Sequence, residues 1–301
     1  MVPLPALPAS VVIRDVGPRD GLQPEAPVPV GERVRLIDAL VAAGVARIEA
    51  VAFVSPTAVP AMAGAAEVLA AVPRSSGVRY SALVPNVRGA ELATQTEIDE
   101  LTVTISLSET YNQRNVRMSI DESTTAIEGI CAVAGDIPVD AVLSCAFGSP
   151  YEGDVAPDEV QALAARLRTA GCAAVTLADT TGMATPRRIA DVLERTGTDV
   201  GLHLHDTRGT ALVCAYAALQ LGATRFDTSV GGLGGSPFAH GATGNLATEE
   251  LVAVLDDLGV STGIDVEGLV TAAAVAAELV GRAVPSRVAT AGPRSRRSEE
   301  V

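Results

Sequence analysis

Apolar residues along the chain follow two alternating patterns. Short runs rich in Val, Ile, Thr and Ala read as strands at 11–16, 46–52, 78–84, 100–106, 139–147, 173–179, 200–205 and 225–230. Longer segments with apolar positions at helical spacing lie between them, such as 31–44, 156–171 and 186–197. Several stop at glycine, at Gly44, Gly171, Gly197 and Gly222, the residue that best adopts the backbone closing a helix. Eight such βα units predict an α/β fold, a (β/α)8 TIM barrel. An open doubly wound sheet fits less well, because it usually brings a Gly-rich dinucleotide turn that is missing here. Segments 244–258 and 265–282 are expected as the last barrel helix and a short extra C-terminal helical segment. The expected organisation is an N-terminal extension (1–10), a catalytic barrel (11–285) and a disordered polar tail (286–301). In such a barrel the chemistry belongs at the C-terminal ends of the strands.

Composition then removes chemistry. All 22 basic residues of this 301-residue chain are arginine. With no lysine, Schiff-base catalysis is excluded, and so is a phosphate loop built on lysine. The formal net charge of −14 argues against nucleic acid or an anionic membrane as partner. Aromatics are only 3%, so the core must be Ala, Val, Leu and Ile. Cys131, Cys145, Cys172 and Cys214 lack metal-type spacing and suit a reducing compartment. The start MVPLPALPAS lacks the charge of a targeting segment, so a cytoplasmic location is expected.

The three histidines sharpen the picture. His203 and His205 form H-L-H at the end of the seventh predicted strand. Residues two apart on a strand face the same side, so both imidazoles can share one metal. Asp20, after the first strand, and Asn245, before the last helix, add hard oxygen donors. This mixed set suits Mg2+, Mn2+ or another first-row divalent ion with an open position, rather than a closed zinc site. Asn245 taken alone also reads as a helix N-cap. The segment 231–245 has six glycines in fifteen residues and ends on Asn245, with His240 inside it.

Five ordered motifs resemble one family. They are R-D-V-G-P-R-D-G-L-Q (14–23), F-V-S-P (53–56), S-C-A-F-G-S-P-Y-E-G (144–153), H-L-H-D-T (203–207) and G-G-L-G-G-S-P-F-A-H-G-A-T-G-N-L-A-T-E (231–249). Together they resemble the 3-hydroxy-3-methylglutaryl-CoA lyases, part of a wider group of metal-dependent TIM-barrel lyases and Claisen synthases. The resemblance implies that Asp20, His203, His205 and Asn245 hold the metal. It implies that Arg19 contacts the thioester oxygen and the developing enolate. Glu49 and Asp179 match acidic residues of the site, Glu249 matches an acidic residue beside the last ligand, and a homodimer is implied as well. Gln23, Arg208 and His240 are candidate substrate contacts, Arg208 for a carboxylate.

The sequence departs from the family in places. Ser236 stands where these lyases carry a loop cysteine, Ser149 replaces a second cysteine, and Arg208 replaces a tyrosine. The implied reaction is a retro-Claisen cleavage of hydroxymethylglutaryl-CoA, or a related 3-hydroxyacyl-CoA, to acetyl-CoA and a keto acid such as acetoacetate. A base must take the C3 hydroxyl proton; His203 and Asp20 both qualify. An acid must protonate the enolate carbon. A thiol, with a pKa of about 8.5, delivers a proton far more readily than the Ser236 hydroxyl. So either delivery has moved to a neighbour such as His240 or water, or the lyase is weak. A sister aldolase or Claisen enzyme with another substrate, and a silent barrel that binds an acyl-CoA or a partner, are the competing readings.

Overall fold

The computed structural model describes residues 7–74, 77–235 and 244–297. Eight parallel strands close on themselves in the order β1 to β8. They are β1 (Val12–Asp15), β2 (Arg47–Ala52), β3 (Arg79–Leu83), β4 (Glu100–Ser106), β5 (Val139–Ser144), β6 (Ala174–Asp179), β7 (Gly201–Leu204) and β8 (Arg225–Thr228). The helices outside are α1 (Val30–Ala42), α2 (Ala65–Ala71), α3 (Val87–Ala93), α4 (Glu109–Val116), α5 (Ile120–Ala134), α6 (Pro157–Thr169), α7 (Pro186–Thr196), α8 (Ala211–Gln220) and α9 (Thr248–Asp257). Then come α10 (Val266–Val280) and α11 (Arg287–Ala291). The expected barrel is what forms, because the strands are buried on both faces and the helices cover them. In β5 all six positions are buried, Asp140 among them, so the strand has no solvent face.

Local chemistry sets the ends of these elements. Ser119 and Glu122 form a reciprocal cap at the start of α5. After α1, Gly44 takes φ +93°, and a Cβ there would lie 2.6 Å from the Gly263 carbonyl oxygen. The chain therefore needs glycine both for backbone angle and for room. The fifth strand stops before its expected end at 147, since Cys145 takes φ +59° and turns the chain. The helix expected from 244 starts only at Thr248, because Asn245 pairs as an isolated bridge with His205 and is not the cap.

The C-terminal elements close the outside of the barrel. Helix α10 packs on α1, and its Leu269, Ala272, Ala273 and Ala276 are buried. Residues 286–301 were expected to be a disordered tail. The structure instead caps α11 with Ser286, whose Oγ accepts from the Ala289 N–H, and Glu250 accepts the Arg287 N–H. Residues 298–301 lie outside the described residues.

The floor of the barrel is charged. Arg14 of β1 meets Asp227, Asp140 and Glu100, each at 2.8 Å. Burial opposes the Arg14 charge, but these carboxylates outweigh it and hold its pKa well above the ordinary value.

Candidate active site

The site is assembled at the C-terminal ends of the strands. After β1 the chain winds into a tight turn, Gly17–Gly21, in which the N–H groups of Arg19, Asp20 and Gly21 all point at the Val16 carbonyl. The turn can pack this closely because Gly17 and Gly21 lack side chains. A Cβ on Gly17 would sit 2.8 Å from Asp15 Oδ1, and one on Gly21 would sit 2.8 Å from Ser229 Oγ. The turn presents Arg19 and Asp20 together.

Strand β7 supplies His203, and His205 follows one residue beyond its end. Their Nε2 atoms are 3.1 Å apart, and His203 Nε2 lies 3.9 Å from Asp20 Oδ2. One ligand atom from each of Asp20, His203 and His205 lies within 4.8 Å of the others. Asn245 joins them, its Nδ2 donating to Asp20 Oδ2 and to the Leu233 carbonyl, both at 2.9 Å. Burial opposes the Asp20 charge, but Arg19 and the two histidines outweigh it and hold its pKa down at about 2. Burial also disfavours a charged His203, yet its contacts with Asp227 and Asp20 raise its pKa.

Arg19 is gripped on two sides. Its Nη1 donates to Asp20 Oδ1 at 2.7 Å, and its Nε and Nη2 reach Glu49 Oε2 at 2.6 and 2.5 Å. Glu49, expected at the end of the second strand, lies within β2, where the register shifts between Glu49 and Val51. The Glu49 carboxylate meets Arg19 at the barrel mouth. Asp179, the last residue of β6, fixes the next loop by accepting the Met183 and Ala184 N–H groups on Oδ1. Its buried Oδ2 has no partner among the described residues, and burial pushes its pKa up to about 6.

The remaining expected residues make other contacts. Glu249 does not reach the cluster: it accepts the Gly231 N–H at 3.0 Å, and burial pushes its pKa up to about 7. Arg208 is exposed and spends Nη1 on the Thr181 and Gly182 carbonyls, tying the loops after β6 and β7. Ser149 is buried and donates to Glu152 Oε2. Gln23 is half-buried just after the Arg19–Asp20 turn. Ser236 and His240 lie outside the described residues. The sequence reading missed Asp227, whose Oδ2 is 3.4 Å from His203 Nδ1. The available signal was an acidic residue at 227 inside an otherwise buried strand.

A closed parallel barrel with Asp, two His and Asn at its mouth, beside a buried arginine, is that of a TIM-barrel protein with a candidate metal site, and its relatives are carbon–carbon lyases. The HMGL-like family model matches residues 10–276. Among curated proteins, the mouse mitochondrial hydroxymethylglutaryl-CoA lyase is 42% identical over 95% of this chain and 90% of its own length. The 3-hydroxy-3-isohexenylglutaryl-CoA/hydroxymethylglutaryl-CoA lyase of Pseudomonas aeruginosa is 41% identical, over 95% and 98%. The solved HMG-CoA lyase of Acinetobacter baumannii, in complex with coenzyme A and 3-methylmalate, superposes with a TM-score of 0.91 at 37% identity, over 98% of this chain and 99% of that one. The chain belongs to the HMGL-like family, whose lyases depend on a divalent metal. Among the described residues, no helix is long and apolar enough to cross a membrane.

Proposed function

We propose that this chain cleaves hydroxymethylglutaryl-CoA, or a close 3-hydroxyacyl-CoA, to acetyl-CoA and a keto acid, with Asp20, His203, His205 and Asn245 holding Mg2+ or Mn2+. The residues fit a small divalent cation. Asp20 is charged, two imidazole Nε2 atoms face one another, and the buried Asn245 Oδ1 has no partner among the described residues. An isolated buried acceptor of this kind is costly unless something binds it. A bound divalent ion would act as a Lewis acid that lowers the pKa of the substrate hydroxyl.

The protein's own groups divide the remaining work. Asp179, with one free oxygen and a pKa near 6, is a candidate to take the C3 hydroxyl proton, beside His203 and Asp20. Loss of that proton drives formation of the ketone and breaks the C2–C3 bond, and the electron pair passes to the acyl-CoA enolate. Arg19 donates charged hydrogen bonds to the enolate oxygen while Glu49 holds it in place. A proton on C2 completes acetyl-CoA. Ser236 or His240 is the proposed source, and Arg208 and Gln23 are the proposed substrate contacts.

The observation that carries this reading is the convergence of Asp20, His203, His205 and Asn245 beside Arg19. Its test is to add hydroxymethylglutaryl-CoA with Mg2+ or Mn2+ and look for acetyl-CoA and acetoacetate. Ser236→Cys is the accompanying arm, and it should raise kcat if proton delivery limits the wild type. Cleavage only by the Ser236→Cys variant would defeat the proposed substrate. The serine, and a relative acting on an isohexenyl homologue, favour a second reading, that the C3 substituent differs from methyl. A panel of 3-hydroxyacyl-CoA thioesters separates the two.

A further inference from the structure

The barrel register sets three charged or polar side chains in one row. Arg14 of β1 is the Cα partner of Asp227 of β8, and Asp227 is the Cα partner of His203 of β7. Paired positions on adjacent strands send their side chains to the same face. All three are buried. Arg14 grips both oxygens of Asp227, Nε on Oδ1 and Nη2 on Oδ2, each at 2.8 Å. The same Oδ2 lies 3.4 Å from His203 Nδ1. On the far side of the ring, Nε2 faces His205 and Asp20.

A neutral imidazole carries its proton on one nitrogen only, and the other nitrogen offers a lone pair. A carboxylate accepts and cannot donate. With both Asp227 oxygens oriented by the arginine fork, the favoured ring state has the proton on Nδ1. Nε2 is then an open donor atom pointing at Asp20.

We propose that Asp227, clamped by Arg14, is a positioning residue that fixes His203 in the Nδ1–H tautomer and so keeps Nε2 open for a divalent cation. This rests on the cation reading of the site given above. A plain structural role explains part of the network, since Arg14 also meets Asp140 and Glu100 on the barrel floor. It does not explain why one Asp227 oxygen sits between the arginine fork and the imidazole. Partners of this kind behind a metal-binding histidine typically change affinity by about 10–100-fold.

Asp227→Leu tests the assignment at similar side-chain volume. Leucine removes both acceptors, while Arg14 keeps Asp140 and Glu100. With nothing to accept from Nδ1, the His203 ring is expected to carry its proton on Nε2, toward Asp20. Two readouts follow. One is the tautomer in chelator-treated protein, from 15N shifts of labelled histidine, which is tractable with three histidines in the chain. The other is Mn2+ affinity by calorimetry. The expected result is an Nδ1–H ring in the wild type, an Nε2–H ring in the variant, and Mn2+ binding weaker by at least about ten-fold. An unchanged tautomer with Mn2+ affinity within about two-fold of wild type would overturn the proposal. If the wild type itself binds no Mn2+, the cation reading fails instead, and the tautomer comparison still decides the role of Asp227. If Asp227→Leu does not fold, Arg14→Lys serves. It keeps the positive charge and loses the fork; the ring should stay Nδ1–H, since Asp227 still accepts, while Mn2+ binding should weaken, and an affinity within about two-fold of wild type would overturn the proposal.

Discussion

The Arg19–Glu49 pair is a buried contact that bears on stability and, in the proposed reaction, on catalysis. Both residues are nearly inaccessible, and the guanidinium meets Glu49 and Asp20 together. Removing one member of a buried ion pair strands the other charge, at a cost of about 3–5 kcal/mol. Arg19→Gln is therefore expected to lose stability in urea titrations and also to lose about 10²–10³-fold in kcat, the usual effect of removing a donor to a developing oxyanion. Adding Glu49→Gln should restore most of the stability and none of the turnover. Recovery of both together would mean that Arg19 acts only through the fold. The residues that matter here were legible because their types are unusual for their places. Asp20, His203 and His205 are polar groups at the ends of apolar runs. Asp227 left only an acidic residue within a strand as its signal, since its contacts come from register with Arg14 and His203, and a single strand carries no record of its neighbours.

Elements were easier to read than the loops that join them. All eight strands were visible in the sequence pattern, most of them as apolar runs, because a parallel strand buried on both faces leaves few polar positions. The misplaced boundaries have local causes. Cys145 turns the chain through a left-handed backbone angle, and its N–H is taken by Thr180 Oγ1. Asn245 is drawn into an extended bridge with His205, so α9 begins later than the sequence pattern suggests. The ordered start of the C-terminal segment depends on Glu250 and Ser286, contacts that no composition rule reveals. Where the pattern and the structure agree, the agreement can be tested. Gly44 closes α1 with a positive φ and no room for a side chain. Gly44→Ala should lower the urea midpoint and cost more than about 1 kcal/mol of stability, the reverse of the roughly 0.4–1 kcal/mol gained where the backbone is compatible. A neutral result would show that α1 and the Gly263 turn can separate freely.

Across the whole molecule, buried carboxyls set how stability responds to pH. Burial pushes Asp15 and Glu249 up to about 7, against ordinary values near 4. A carboxyl with a raised native pKa binds its proton more tightly when folded. Its contribution is complete below about pH 4 and is lost as pH rises through about 7. Asp20 works the other way: held at about 2, its contribution is present above about pH 4 and fades as pH falls toward 2. The metal-free protein should therefore melt at lower temperature at pH 8 than at pH 5.5. Asp15→Asn with Glu249→Gln should flatten that difference, and an equally steep profile in the double variant would place the dependence elsewhere.

The stretch of chain that carries Ser236 also has a feature with consequences beyond its local geometry. Its near end, at Leu233, accepts hydrogen bonds from both the side chain and the backbone N–H of Asn245, the residue just past its far end. The loop thus begins and ends on one proposed cation ligand, so ion and loop form a single thermodynamic system. Linkage is then obligatory and symmetric: whatever factor a bound CoA thioester applies to cation affinity, the cation must apply to thioester affinity. Calorimetric titration of Mn2+ with and without acetyl-CoA, and of acetyl-CoA with and without Mn2+, should return the same factor, and that factor should differ from one. A factor of one would mean that Asn245 holds the loop without transmitting anything through it.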